Sequence, residues 1–443
     1  MKRETPIDDM KVTVRGYKSI VNEQSIEIRP LTILAGANSS GKSSIMQPLL
    51  LLKQTLELPY DPQGALELSG PNVRFTSADE LLSKGSKGFF VGLQIRSFKL
   101  GLHFVKRDEG GFDIERMDYE DGPRDKDKGT LQKHMNSEDV KSFLLRQLSY
   151  LQPSTGILDE LEIQQHNQFR GVIERDRCFL KGVLFLIGTE QKVRLRESLP
   201  WSASVAKERL RSLIHLSGLR GNPERSYRVT GVGPIFPGTF ENYTASVIAL
   251  WQDKEKEKLA KLCRDLETLG LTWKVTARSI SDTQVELQVG RLPRATRGGA
   301  RDLVNIADVG FGVSQALPVV VALNVAQPGQ LVYIEQPEIH LHPRAQAAMA
   351  ELLADAARRG VLVVAETHSS ILIRKVQTLV AQGKLQPEIV KLHWFERKDG
   401  VTTIRSTDLD ERGAFGDWPE DFTEVELESE SAYLDAVAER SHS

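Results

Sequence analysis

Residues 31–44 read LTILAGANSSGKSS, an apolar run that breaks into a glycine- and serine-rich turn and then into helix-forming sequence. From Gly36 to Ser43 the turn satisfies GxxxxGK followed by Ser or Thr at every position. Strand, glycine loop and helix in that order make a cradle for a phosphate chain. Glycines let consecutive backbone N–H groups curl around phosphate oxygens, and the helix N-terminus adds positive potential. The residues expected to line the cradle are Gly36, Asn38, Ser39, Ser40, Gly41, Lys42, Ser43 and Ser44. Lys42 is expected on the β and γ phosphates, and the Ser43 hydroxyl on Mg2+. A nucleotide and Mg2+ are therefore expected there.

Outward from the loop, KVTVRGY at 11–17 and SIEIRPLTIL at 25–34 read as strands, the second interrupted at Pro30. A helix is expected over 45–56. Short alternating segments at 70–120 predict antiparallel β structure, and 108–128 a loop or mobile hairpin. Helical periodicity follows at 137–151, 203–216 and 251–269, the last with Leu259, Leu262, Leu266 and Leu269 on one stripe. Residues 272–291 return to alternation. Two all-apolar runs, 331–334 and 361–365, flank a helix expected over 344–358, which predicts a βαβ unit in a buried parallel sheet. Segments 386–396 and 401–406 read as a closing hairpin. The divisions expected are an N-terminal lobe carrying the phosphate loop, 1–130; a mixed helical and β insertion, 131–290; a C-terminal lobe, 291–410; and an acidic tail module, 411–443.

Composition bounds the remainder. The chain has 443 residues, 40% of them hydrophobic, which excludes wholesale disorder. A formal charge of −2 excludes a general nucleic-acid coat, though not a local basic patch. Two cysteines, Cys178 and Cys263, make neither a disulfide scaffold nor a cysteine-rich zinc site, and read as packing residues of a cytoplasmic protein. No apolar run is long enough to span a membrane, and MKRETPIDDMK lacks the apolar segment of a secretory signal.

Three further strings carry chemistry. Leu331 to Glu338, LVYIEQPE, is a buried strand ending in acids. A carboxylate at such a tip beside a phosphate loop orients the Mg2+ water shell. GFGVSQ occupies 310–315, and ETHS occupies 366–369. Taken in order, these strings resemble the ABC-type ATPase heads of the SMC, RecF and OLD (overcoming lysogenization defect) group, and GAFGDWPEDF at 413–422 resembles the C-terminal module of bacterial OLD-like ATPases.

The resemblance implies an α/β ABC-type head, interrupted by an insertion, that closes as a homodimer or larger homo-oligomer around Mg-ATP. It places Gly312, Ser314 and Gln315 in the signature that meets the other protomer's γ-phosphate. Glu335 takes the metal-coordinating position and His368 the switch position. It further implies a protein effector, a nuclease or toxin encoded nearby, gated in antiphage defence. A RecF-like DNA-binding repair ATPase and a non-hydrolysing scaffold are the alternatives. One position departs from the pattern: Gln336 stands where a glutamate usually polarises the attacking water, and Gln cannot take up a proton as a carboxylate does. Gln336 itself positions the water, or Glu338 serves as base, or Gln336 is an engineered trap; slow turnover follows from each. His340 and His342 read as structural loop histidines, and Arg291, Arg294, Arg297 and Arg301 as a solvated basic loop. Arg220 and Arg225 read as structural ties. Tyr17 and Lys18 are weaker candidates for a place near the base.

Overall fold

The computed structural model describes residues 10–122, 124, 127–148, 169–187, 192–294 and 302–416. Its centre is a six-stranded sheet with the order Ile214–Leu216, Leu331–Glu335, Leu362–Thr367, Leu31–Gly36, Val390–Lys398, Val401–Thr407. The first five strands run parallel and the last antiparallel. Leu31–Gly36 and Leu362–Thr367 are buried on both faces, as strands of a covered parallel sheet must be. Alternate side chains feed two cores. Ile33, Val332, Ile334, Val363 and Ala365 join the helices Phe311–Val325 and Pro343–Arg358 on one face. Leu34, Leu331, Tyr333, Leu362 and Val364 join the helix Lys42–Glu57 on the other.

That second core also takes the apolar face of a six-stranded antiparallel sheet, ordered Gln24–Ile28, Met10–Arg15, Gly88–Ile95, Phe98–Lys106, Phe112–Glu120, Lys128–Gln132. Two smaller antiparallel sheets, built on 169–198 and on 227–305, complete the β structure. Register fixes what stands at the carboxyl edge of the central sheet. Thr367 lies beside Ala35, Phe395 beside Gly36, and Glu335 beside Glu366. The phosphate loop and the acids of two neighbouring strands therefore leave the sheet at one level, where ligands of such sheets bind.

Two expectations are corrected and two hairpins are extended. The helix expected over 203–216 is Trp201–Ser212, and Ile214–Leu216 is instead the edge strand of the central sheet. All three of its residues are buried, and a short fully buried run carries no period to separate strand from helix. The helix expected over 251–269 is two, Thr244–Lys254 and Lys256–Thr268, broken at Glu255 with φ −133°. Residues 253–258 are all charged, so nothing apolar pins a straight helix to the core there. Within 108–128 a strand, Phe112–Glu120, follows the Gly110–Gly111 turn. The closing strands pair as a hairpin, but Val390–Lys398 also pairs in parallel with the phosphate-loop strand, so the hairpin is part of the central sheet. Residues 149–151, Arg297, Arg301 and most of 411–443 lie outside the described residues. Among the described residues no helix is long and apolar enough to cross a membrane.

His393 locks this sheet. Its Nε2 donates to the Glu27 carbonyl at 2.8 Å, and its Nδ1 accepts from Ser406 at 2.7 Å. Burial, reinforced by the Lys391 and Arg29 charges, lowers its pKa to about 4. The unfolded chain, near 6.5, takes up the proton first as pH falls. The contribution is thus whole above pH 6.5 and is lost between 6.5 and 4, to the extent of about 3 kcal/mol. Chemical denaturation of wild type and His393→Gln at pH 7.5 and 5 is expected to show a smaller acid loss in the variant.

Candidate nucleotide site

The phosphate loop is shaped by two glycines. Gly36 has φ 143°, and a Cβ there would stand 2.3 Å from the Phe395 carbonyl oxygen; Gly41 has φ 99°, and its Cβ would stand 2.4 Å from Thr402 Oγ1. Neither place admits another residue without moving backbone or the hairpin. Thr402 donates to the Ser40 carbonyl at 2.8 Å, so the closing hairpin braces the loop from behind. Lys42 is buried, with Nζ 2.7 Å from the Ala37 carbonyl oxygen and 3.1 Å from that of Gly36. Burial lowers its pKa, and the charges of Glu366 and Glu338 oppose that shift.

Beside the lysine, Ser43 Oγ donates to Glu366 Oε1 at 3.0 Å, and Tyr333 OH donates to Glu366 Oε2 at 2.9 Å. Burial raises the Glu366 pKa, and the charge of Glu335 raises it further. Glu335 itself points elsewhere: His215 Nε2 lies 3.3 Å from Oε1, and Gly218 N–H donates to Oε2 at 3.2 Å. Burial works to raise the Glu335 pKa, but His215, Gly218 and the Arg220 charge outweigh it and the net shift is downward. Gln336 has φ 47°, and its N–H donates to the Glu366 carbonyl at 2.8 Å. Glu338 Oε1 accepts from Thr367 Oγ1 at 2.8 Å and from His368 N–H at 2.9 Å, while burial pushes its pKa up. The His368 pKa is lowered by burial and by Lys42, so its ring is neutral at pH 7.

Residues 38–44, Gln336, Glu366 and His368 line one cavity of about 810 Å3, and an adjoining one of about 400 Å3 holds Ser43, Glu335, Gln336, Glu366 and the Ser217–Leu219 loop. Lys18 also lines the larger cavity and donates to Gln47 at 2.7 Å, whereas Tyr17 is buried. Glu338, Gly312, Ser314 and Gln315 line neither. Ser314 is half-buried near the start of helix Phe311–Val325, and Gln315 Nε2 donates to the Gly221 carbonyl at 2.7 Å. His342 accepts from Arg344 N–H and caps helix Pro343–Arg358. Arg220 donates to the Glu335 and Gln336 carbonyls at 2.6 and 3.1 Å, and Arg225 pairs with Asp308 at 2.7 Å. Sequence reasoning gave Glu366, Tyr333 and His215 no role. The signal for Glu366 was present, as the first polar residue to end the run VLVVA.

A family model described as "AAA domain, putative AbiEii toxin, Type IV TA system" matches residues 31–374. The chain belongs to that AAA family. No curated protein matches the sequence. Among solved structures, an Smc head bound to the C-winged helix domain of ScpA aligns at 12% identity over 91% of this chain and 98% of that one, with a TM-score of 0.44. The SMC head domain from Thermotoga maritima aligns at 10% identity over 90% and 98%, with a TM-score of 0.39. The Smc head with extended coiled coil from Pyrococcus furiosus, bound to the C-terminal domain of ScpA, aligns at 12% identity over 97% and 99%, with a TM-score of 0.45.

The residues present in this AAA domain fit a nucleotide and a divalent cation. The Lys42 ammonium rests on main-chain oxygens that a phosphate can replace. Glu335 and Glu366 are close enough for the charge of one to raise the pKa of the other, and a cation between Ser43 and Glu366 would relieve that repulsion. Glu366→Gln is therefore expected to raise the Mg2+ concentration needed for tight ATP binding about tenfold or more. Calorimetric titration of an ATP analogue at several Mg2+ levels checks this. A rise in Glu335→Gln alone would return the metal to the strand acid expected from sequence.

Proposed function

We propose that this AAA-family chain binds Mg-ATP at the phosphate loop, hydrolyses it slowly, and closes with a second copy to gate a protein effector in antiphage defence. The observation that carries the proposal is the contact of Ser43 with the Tyr333-anchored Glu366, in one cavity with Lys42, Gln336 and His368. Lys42 would hold the β and γ phosphates. Ser43 and Glu366 would hold Mg2+, which neutralises charge on the phosphates when bound, with Glu335 behind them on its His215 and Gly218 contacts. Neutral His368, in reach of the Gly36 backbone and the Lys42 charge, is placed to report on the terminal phosphate.

Slow turnover follows from the strand tip. Gln336 lines the cavity but is no base. Glu338 commits one oxygen to Thr367 and His368 and lines neither cavity, which favours Gln336 as the residue that positions water, as glutamine does in some GTPases. Dimer closure is supported by the place of Ser314 and of half-exposed Phe311, which sit at a helix start outside their own phosphate cavity. A nuclease or toxin as effector, encoded nearby, rests on the sequence resemblance, and the family description is in keeping with it.

Lys42→Ala is expected to cost about 2–4 kcal/mol of ATP-analogue affinity, and undiminished binding in calorimetry would remove the phosphate-loop assignment. The wild type is expected to release phosphate slowly in the presence of Mg2+, and Gln336→Ala to lower that rate about tenfold or more. No release from the wild type would favour the non-hydrolysing scaffold, for which Gln336 also speaks. Ser314→Arg is expected to abolish ATP-driven dimers in sizing experiments while leaving monomer binding intact. A constitutive oligomer indifferent to that change would locate the contact elsewhere.

A further inference from the structure

The strand Leu331–Glu335 ends in a bend that its own residues do not favour. Gln336 has φ 47°, in the left-handed region where a side chain other than glycine is strained, and Pro337 after it narrows the backbone's choices further. Gln336 N–H completes the last rung to the Glu366 carbonyl at 2.8 Å, and the Gln336 carbonyl then accepts from Ile339 N–H at 3.2 Å, so the chain turns within one residue. From that turn the Gln336 side chain reaches the walls of both cavities at the phosphate loop. Relaxation of φ to a negative value would redirect its Cβ and carry the amide elsewhere. Strain of this kind persists only where surrounding contacts impose it.

Arg220 supplies such a contact. Its Nη2 donates to the carbonyls of Glu335 and Gln336 at 2.6 and 3.1 Å. In an extended strand successive carbonyls point to opposite sides, so one nitrogen reaches both only when the chain bends between them. The guanidinium therefore fits the bend and not the straight strand. Its Nη1 donates to the Gln315 carbonyl at 3.4 Å, near the start of helix Phe311–Val325, and Gln315 Nε2 donates in return to the Gly221 carbonyl at 2.7 Å. The loop that carries Arg220 is itself fixed, by Ser217 N–H on Glu241 at 2.8 Å and by Gly218 N–H on Glu335 at 3.2 Å. A planar fork of donors spans the three carbonyls, whereas the compact ammonium of a lysine does not.

We propose that Arg220 is a positioning residue for hydrolysis: it clamps the strand tip in its bent form, so that the Gln336 amide faces the attacking water, and ties that tip to the helix that carries Ser314. The proposal rests on the reading of Gln336 as the residue that positions water. Arg220 lines neither phosphate-loop cavity, so its loss acts on turnover and not on nucleotide binding.

Phosphate release at saturating Mg-ATP and calorimetric affinity for a non-hydrolysable analogue, both measured on the full chain, test the clamp. Arg220→Lys is expected to lower the release rate about tenfold while leaving analogue affinity within about twofold of wild type. With Gln336→Ala added, the rate is expected to fall no further than in Gln336→Ala alone, because both changes remove one arrangement. Thermal melts establish that the variants fold. Multiplication of the two rate losses in the double variant would overturn the proposal. So would a loss of affinity as large as the loss of rate, or unchanged release in both Arg220→Lys and Arg220→Ala. Absence of release from the wild type would instead remove the ATPase reading, and crystals of Arg220→Ala then decide the clamp by themselves, with Arg220→Lys in its place if the alanine variant does not fold. Gln336 is expected to leave the left-handed region in those crystals, and a bend kept unchanged would overturn the proposal.

Discussion

The hydrogen bond from Ser43 to Glu366 joins residues 323 positions apart in the chain, and the architecture around the site serves to bring them together. One residue lies in the first turn of the helix after the phosphate loop; the other is the last but one of the strand directly beside the loop's own strand. Parallel pairing sets both at the same height. Any slip of one residue in that register would turn Glu366 to the other face, exchanging it with a neighbour from the opposite core. The site is therefore only as exact as the packing of Ile33, Leu34, Val363 and Val364 on the two sides of the sheet.

Electrostatics at the strand tips are poised by the same placement. Three glutamates leave the sheet within a few residues of one another, and each is held differently. Glu335 is kept ionised by His215, Gly218 and Arg220, while Glu338 and Glu366 are pushed toward the neutral form by burial. Lys42 is the cation that both Glu338 and Glu366 act upon, and it is partly desolvated. A site in which negative groups outnumber positive ones at close range stores a preference for an incoming cation, and the lysine stores one for an incoming phosphate.

Much of this was legible in the sequence, for identifiable reasons. The phosphate loop is set by chain-local geometry, since Gly36 and Gly41 adopt φ values that only glycine tolerates there, and local constraints are written in local residues. The apolar strands at 331 and 362 were visible because burial on both faces demands unbroken runs. What escaped notice depends on pairing between distant segments. Ile214–Leu216 is too short to show a period, and its role follows only from its place beside Leu331–Glu335. Glu366 outranks Glu335 as the partner of Ser43 because its strand, and not that of Glu335, neighbours the phosphate-loop strand. His215 and Tyr333 are unremarkable in sequence and meet the acids only across strands.

The central claim, that Ser43 and Glu366 together form the cation site next to the phosphates, is tested most directly by crystals grown with a non-hydrolysable ATP analogue and Mn2+ in place of Mg2+. Mn2+ accepts the same oxygen-rich octahedral surroundings and scatters anomalously. The account predicts a single strong anomalous peak about 2.2 Å from Ser43 Oγ, with Glu366 coordinating it directly or through water and Lys42 moved from the Gly36 and Ala37 carbonyls to the phosphates. A peak held by Glu335 instead, with Ser43 still donating to Glu366 and Lys42 still on the loop carbonyls, would contradict it.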